Sequence, residues 1–353
     1  MPTTLDNPEL YTVGWISALP IERAAATVML DDRHNEPRGF KRHPADTNSY
    51  TWGRIDKHNI VIASLQAGIY GTTSAATTAL SLVASLPWIR IGLMVGIGGG
   101  IARPPHQDIR LGDVVVSQPS GTTGGVIQYD LGKAKSHNKW EQKGFLRAPP
   151  SVLLHAISHL QSEHEISGSM MPELLEAVWR SHPTMLKSRA RNPGFGHQGS
   201  KNDRLFTWTY DHIKEAMNCE DCDPSREVER VERDTTDPEV HYGIIASGNI
   251  LIKDARIRDE MAHLAGQHCL CVEMEAAGLM NTFPCLVIRG ISDYADSHKN
   301  DRWQRYASAT AAAYAKELLG YLPAAELEAT KRASDALQDS EYPCLVDRLG
   351  DLQ

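Results

Sequence analysis

Alternating strand-like and helix-like segments predict one α/β domain built around a largely parallel or mixed twisted sheet. Three observations carry this. Short apolar runs of strand length recur at residues 11–18, 59–65, 89–95, 113–117, 241–247, 269–272 and 286–288. Helix-like stretches rich in threonine and alanine fall among them, at 71–86 and 307–319. Several strand-like runs also end in glycine or a carboxylate, and ligands of α/β folds collect at that edge of the sheet.

Taken in order, residues 11–18 read as a buried strand. Pro20 then starts a helix running through Ala24, Ala25, Ala26 and Met29, because proline at the first helical position sacrifices no hydrogen bond. Residues 49–54 and 59–65 form a hairpin with Asp56-Lys57-His58 at its turn. The strand at 89–95 runs into Gly96-Ile97-Gly98-Gly99-Gly100, read as a glycine turn. Residues 131–239 are polar and only weakly periodic apart from a helix near 152–164. They are expected to be an insertion in a main domain spanning 11–320, with 321–353 as a peripheral tail.

Composition excludes several classes. A net charge of −8 gives no sign of nucleic-acid binding. The longest apolar run, 91–101, is far short of the ~20 residues of a membrane span. The N-terminus lacks the basic and apolar regions of a signal peptide. Cys269, Cys271 and Cys285 lie in apolar segments, a pattern that suits reduced thiols and a cytoplasmic protein.

Two segments concentrate the chemistry. In Leu270-Cys271-Val272-Glu273-Met274-Glu275-Ala276-Ala277-Gly278, two carboxylates flank a methionine at the start of an expected small-residue helix. In Val287-Ile288-Arg289-Gly290-Ile291-Ser292-Asp293, an apolar strand delivers a carboxylate at its C-terminal end. A helix cap and an exposed strand-end carboxylate would be the plainer reading of the pair. The glycines at 96–100 let a ligand approach the backbone closely. They do not make a dinucleotide site, because Arg103-Pro104-Pro105 follows where a helix would be required. Glu22 sits one turn into the first helix, where the helix dipole favours its ionised form.

These residues together resemble the nucleoside phosphorylase / methylthioadenosine (S-adenosylhomocysteine) nucleosidase superfamily, nearest to the purine and uridine phosphorylase-like domain of fungi, which stands alone or leads immune-receptor-like proteins. Beyond Glu-Met-Glu and Arg-Gly-Ile-Ser-Asp, the likeness takes in Gly98-Gly99-Gly100 and Leu111-Gly112-Asp113-Val114-Val115. It covers about 11–130 and 240–320 and implies a three-layer α/β/α fold. It further implies that Glu275 grips the ribose hydroxyls over Met274, that Asp293 protonates N7 of a departing purine, and that Ser292 orients Asp293. Glu22 stands where the phosphorylases carry a phosphate-clamping arginine and the nucleosidases a water-activating glutamate. Gly112 replaces a second phosphate arginine, although Arg103 and Arg110 lie nearby. Arg289 is expected to hold Glu22 and the water, or to form a structural salt bridge. Gly98, Gly99 and Glu273 join the ligand site, and Asn249, Leu251 and Ile252 line the base pocket.

The implied activity is hydrolysis of purine ribonucleosides, or of their 5′-phosphates, without a cofactor and in a homo-oligomer. Phosphorolysis is the alternative reaction, and a nucleoside-binding signalling module the alternative from another class. Two features lie outside the resemblance. Arg180, Lys187, Arg189, Arg191, Lys201 and Arg204 form a basic run that suits either a 5′-phosphate or a solvated loop. Cys219-Glu220-Asp221-Cys222, with His212 upstream, is half of a zinc site that His241 would complete, or a pair of free loop thiols.

Overall fold

The computed structural model describes residues 2–135, 139–188, 193–213, 218–264 and 269–336. Its first half runs β1 (Tyr11–Ser17), α1 (Pro20–Val28), β2 (Asp32–His34), β3 (Tyr50–Ile55), β4 (His58–Ser64), α2 (Thr72–Ser85), β5 (Ile91–Gly100), β6 (Val114–Ser117) and β7 (Val126–Gln128). A small hairpin, β8 (Gly132–Lys135) and β9 (Lys139–Gln142), precedes α3 (Ser151–Ser167) and α4 (Met171–Ser181). The chain closes with β10 (Val240–Ser247), α5 (Ala255–Leu264), β11 (Cys269–Glu273), β12 (Cys285–Asp293), α6 (Gln304–Gly320) and α7 (Ala324–Ala329).

Ten strands form one mixed sheet in the order β11-β10-β6-β12-β5-β1-β4-β3-β2, with β7 beside β10. β4, β1, β5 and β12 are mutually parallel, while β6 runs antiparallel to β12. The sheet curls until Cys271 and Val272 of β11 pair antiparallel with Gly100 and Gly99 of β5. This contact closes β5, β12, β6, β10 and β11 into a ring. The glycines expected as a turn therefore continue β5 to Gly100. Without side chains they permit the close approach of β11.

Side chains alternate across the sheet with the period of two that strands impose. Trp15, Leu93, Val95, Leu286 and Ile288 share one apolar cluster with residues of α1 and α6. Ile16, Met94 and Val287 belong to a second cluster, with Ala75, Ala79 and Leu82 of α2 and with Phe283. Helices thus cover both faces, and β1, β5 and β12 read as unbroken apolar runs for that reason. Gly290 shows how closely α6 lies on β12: a Cβ added there would come 1.9 Å from the carbonyl oxygen of Ala307.

Three local expectations are corrected. The segment after Glu-Met-Glu is a single 3-10 turn, Ala276–Gly278, rather than a helix. Its tightness brings Gly278 against the start of α2, with room for no more than hydrogen at Gly278. Helices α4 and α5 were not foreseen, and neither was the β8–β9 hairpin. The stretch 131–239 is less loop-like than its composition implied. Val152, Leu153, Ala156, Ile157 and Leu160 of α3 and Leu175 and Val178 of α4 are buried in the same cluster as α6. The buried Glu317 of α6 pins the junction of α3 and α4 by accepting from His164 Nε2 at 3.0 Å, Ser169 Oγ at 2.8 Å and Met170 N at 2.8 Å. In the tail, Ala333 is buried and its N–H donates to Ile89 O at 2.7 Å. No helix among the described residues is long and apolar enough to cross a membrane.

Candidate active site

The ends of β1, β5, β10, β11 and β12 converge on one cavity of about 310 Å³, within the size range of small-molecule sites. Its walls include Leu19, Glu22, Ile97, Gly98, Gly99, Met274, Glu275, Ser292 and Asp293, with Ile250, Leu251 and Ile252 from the segment after β10. Residues far apart in sequence meet here because each directly follows, or ends, a strand of the curled sheet.

Glu22 is buried at the first turn of α1. Its Oε2 accepts from the N–H of Ala18 at 2.7 Å and of Leu19 at 2.8 Å, and its Oε1 from Ile97 N at 2.8 Å. The bond to Leu19 is the reach-back half of a capping box, satisfying an orphan donor at the helix start. Burial pushes its carboxyl above the ordinary range, against the opposing pull of Arg289 and these three amides. Gly96 makes room for this arrangement, since a Cβ there would lie 2.5 Å from both Glu22 Oε1 and Arg289 Nη1.

Arg289 is wholly buried and does not line the cavity. It pairs with Glu273, stands 3.4 Å from Glu275 Oε2, and donates from Nη1 to Ile97 O at 3.3 Å. It forms a buried salt bridge, and its charge also acts on Glu22, with no hydrogen bond between the two among the described contacts. Glu273 borders the cavity, but its carboxylate is occupied inside the protein. Besides Arg289 it accepts from the N–H of Glu275 at 3.0 Å and of Ala276 at 3.0 Å. Glu275 is the more available acid of the pair, and burial first, then Glu273 and Glu22, push its carboxyl up to about 7 despite Arg289. One guanidinium thus serves three carboxylates.

Asp293 ends β12 with Oδ1 accepting from Ala295 N at 2.9 Å and Oδ2 from Ser292 Oγ at 2.8 Å. A third partner was not foreseen: Lys299 Nζ lies 2.5 Å from Oδ2, on a side chain only 18% exposed. Nothing periodic marks a lysine six residues beyond a strand, so only the folded loop reveals it. Tyr70, Lys253, Asp301 and Gln304 also border the cavity unannounced. Tyr70 offers an exposed aromatic face where Leu251 lacks one.

Asn249 departs from its expected place in the base pocket. Its Oδ1 accepts from Thr72 N and Thr72 Oγ1, each at 3.0 Å, and its Nδ2 donates to Asp130 at 3.2 Å. It ties the segment after β10 to the start of α2 and does not line the cavity. Leu251 and Ile252 do line it. Gly112 lies elsewhere, at φ +98° against Tyr306. Neither Arg103 nor Arg110 reaches the cavity, and among the described residues no arginine lines it. A second cavity, of about 280 Å³, holds Arg110, Arg230 and Arg233. Their charges are paired with Asp108 at 2.6 Å, Asp203 at 3.0 Å and Asp113 at 2.8 Å, as befits a structural network.

The basic run does not gather at the site. Arg204 pairs with Glu227 at 2.6 Å, and Arg189 and Arg191 lie outside the described residues. His241 is absent from the Cys219 and Cys222 cluster and instead meets Asp113 at 2.9 Å.

The fold is that of the nucleoside phosphorylase/nucleosidase superfamily. A solved structure of 5′-methylthioadenosine/S-adenosylhomocysteine nucleosidase from Neisseria meningitidis, in complex with methylthio-immucillin-A, matches 88% of this chain and 99% of its own, with a TM-score of 0.54. At 18% identity that likeness establishes the fold. A nucleotide-binding leucine-rich repeat (NLR)-like protein from Hyaloscypha variabilis is 44% identical over 316 residues, covering 88% of this chain and 29% of that protein. The chain therefore spans under a third of this fungal relative. ATP nucleosidase Cap17 from Escherichia coli is 38% identical over 78 residues, covering 21% of this chain and 15% of that protein. No family model matches the chain.

Proposed function

We propose that the chain hydrolyses the N-glycosidic bond of purine ribonucleosides to free base and ribose. One observation carries this reading: a nucleoside-sized cavity brings Glu22, Glu275 and Asp293 to its walls, with no arginine among its described lining residues. Paired carboxylates suit glycoside cleavage through an oxocarbenium-like transition state. Glu22, with its carboxyl raised by burial, accepts a proton from water as the water attacks the anomeric carbon. Glu275 accepts hydrogen bonds from the ribose hydroxyls, and the polarisable thioether of Met274 packs under the sugar. Asp293 gives a proton to purine N7, so that the base leaves neutral, and the ammonium of Lys299 stabilises the carboxylate left behind until solvent reprotonates it. Arg289 positions Glu275 and Glu22, and keeps three acids from repelling one another apart.

A 5′-nucleotide substrate is the second reading. It is supported by Lys253 and Lys299 at the cavity and by the similarity to a protein named as an ATP nucleosidase. Chromatography of adenosine, inosine, guanosine, AMP and ATP after incubation with the protein tests both readings. Release of free base from the nucleosides is the expected result, and release from AMP or ATP alone moves the substrate to nucleotides. Unchanged substrate in every reaction makes the chain a binding module.

A further inference from the structure

We propose that His212, Cys219 and Cys222, with His298 in the fourth position, form a structural zinc site that clamps the segment following Asp293. The three donor atoms of His212, Cys219 and Cys222 lie within 4.8 Å of one another. Zinc bonds of ~2.0–2.3 Å to nitrogen and sulfur need only a small contraction of that cluster. Two thiols and an imidazole are the donor set that selects zinc over the oxygen-seeking cations.

The surroundings are those of a built site. Cys219 and Cys222 occupy one tight turn, closed by Cys222 N donating to Cys219 O at 3.2 Å. Arg204 holds the outside of that turn, donating to the carbonyls of Cys219 and of Cys222, the latter at 3.0 Å. His212 Nε2 faces the carbonyl of Asn218 at 3.0 Å. A proton on Nε2 leaves Nδ1 as the lone-pair nitrogen, which is how second partners fix the tautomer of metal-binding histidines.

His298 supplies the independent observation. It is 6% exposed, and neither ring nitrogen has a hydrogen-bond partner. Asp296 stands 3.6 Å from Nδ1, beyond hydrogen-bond range. A buried imidazole left unsatisfied is costly. Its ring lies edge-on to His212 at 5.3 Å between centroids, and its carbonyl lies 3.8 Å from Cys219 Sγ. His298 is not among the three donors that already lie within 4.8 Å of one another, so its ring would have to move toward a metal bound there to be satisfied.

The consequence concerns the loop that carries Lys299. Ser297 Oγ already accepts from His212 N at 2.9 Å. Zinc bound to His298 would fasten His212, Cys219 and Cys222 to the stretch between Asp293 and Lys299, and so fix the partner of Asp293.

The test is metal analysis of the full chain, purified with reductant and without chelators, together with cobalt(II) substitution. One zinc per chain is expected, and cobalt should give the intense near-ultraviolet band of thiolate ligation. Cys219→Ser and Cys222→Ser should each lose the metal, and His298→Ala should bind it more weakly. The cobalt spectrum of the unaltered chain stands even where a cysteine variant fails to fold. No thiolate band on cobalt addition, zinc retained by both cysteine variants, or a Cys219–Cys222 disulfide in the reduced preparation would each overturn the proposal.

Discussion

Asp293→Asn keeps the hydrogen bonds to Ser292 and Ala295 within reach but cannot deliver a proton to N7. Loss of a general acid costs ~10²–10⁴-fold in rate. Turnover of natural purine nucleosides should fall by that order, while a nitrophenyl riboside, whose leaving group needs no proton, should be affected far less. Equal losses on both substrates would remove Asp293 from the role. Lys299→Met should reproduce the same asymmetry in weaker form, because it removes the ammonium 2.5 Å from Asp293. Glu275→Gln addresses the sugar. A charge-assisted bond to a ribose hydroxyl is worth ~1.5–3 kcal/mol, so the variant should lose the wild-type preference for ribosides over 2′-deoxyribosides. Its stability should also respond to pH. A carboxyl raised to about 7 in the folded state favours folding below its unfolded value, and that contribution is lost as pH rises through about 7. Glu275→Gln should therefore be more stable than wild type at pH 8 and gain less at pH 5. Thermal melts showing the reverse would contradict the assignment of a surplus carboxylate beside Arg289. These acids were legible in the sequence because each sits in a short motif at a strand end. Lys299 was not, because a loop lysine acquires meaning only from what it folds against.

Helix α3 shows what periodicity can and cannot reveal at the scale of elements. Its apolar positions were visible near 152–164, but its destination was not. The polar composition of 131–239 pointed to an appendage, whereas Leu160 is wholly buried among the side chains of the α6 cluster. Leu160→Ala should cost ~2–5 kcal/mol, the range for a buried leucine. Denaturant unfolding should show that loss in a single shifted transition. A separate early transition, with the main one unmoved, would mean that 131–239 folds as its own unit. Helix α4 escaped notice because Met171-Pro172-Glu173 begins it without a clear cap, and α5 because it is polar and only Arg258, Met261 and Ala262 of it are buried. The glycine segment at 96–100 misled in the other direction. Glycines there serve the contact between β5 and β11, a long-range pairing that no local signal announces.

For the whole molecule, the central claim is that the curled sheet assembles a hydrolase, with water activated by Glu22 rather than phosphate held by arginine. The fold supplies the cavity, the curled sheet places around it the acids that follow β1 and β11 and the one that ends β12, and no described arginine lines it. The acidity of those groups predicts an acid limb in kcat/KM, with activity falling as pH drops through about 7 and Glu275 takes up a proton, and falling further as Glu22, also raised by burial, is protonated. The most direct measurement is the sugar product of inosine or adenosine cleavage as inorganic phosphate is titrated from none upward. Free ribose at a rate indifferent to phosphate is the predicted result. Ribose 1-phosphate, formed faster as phosphate is added, would contradict the account.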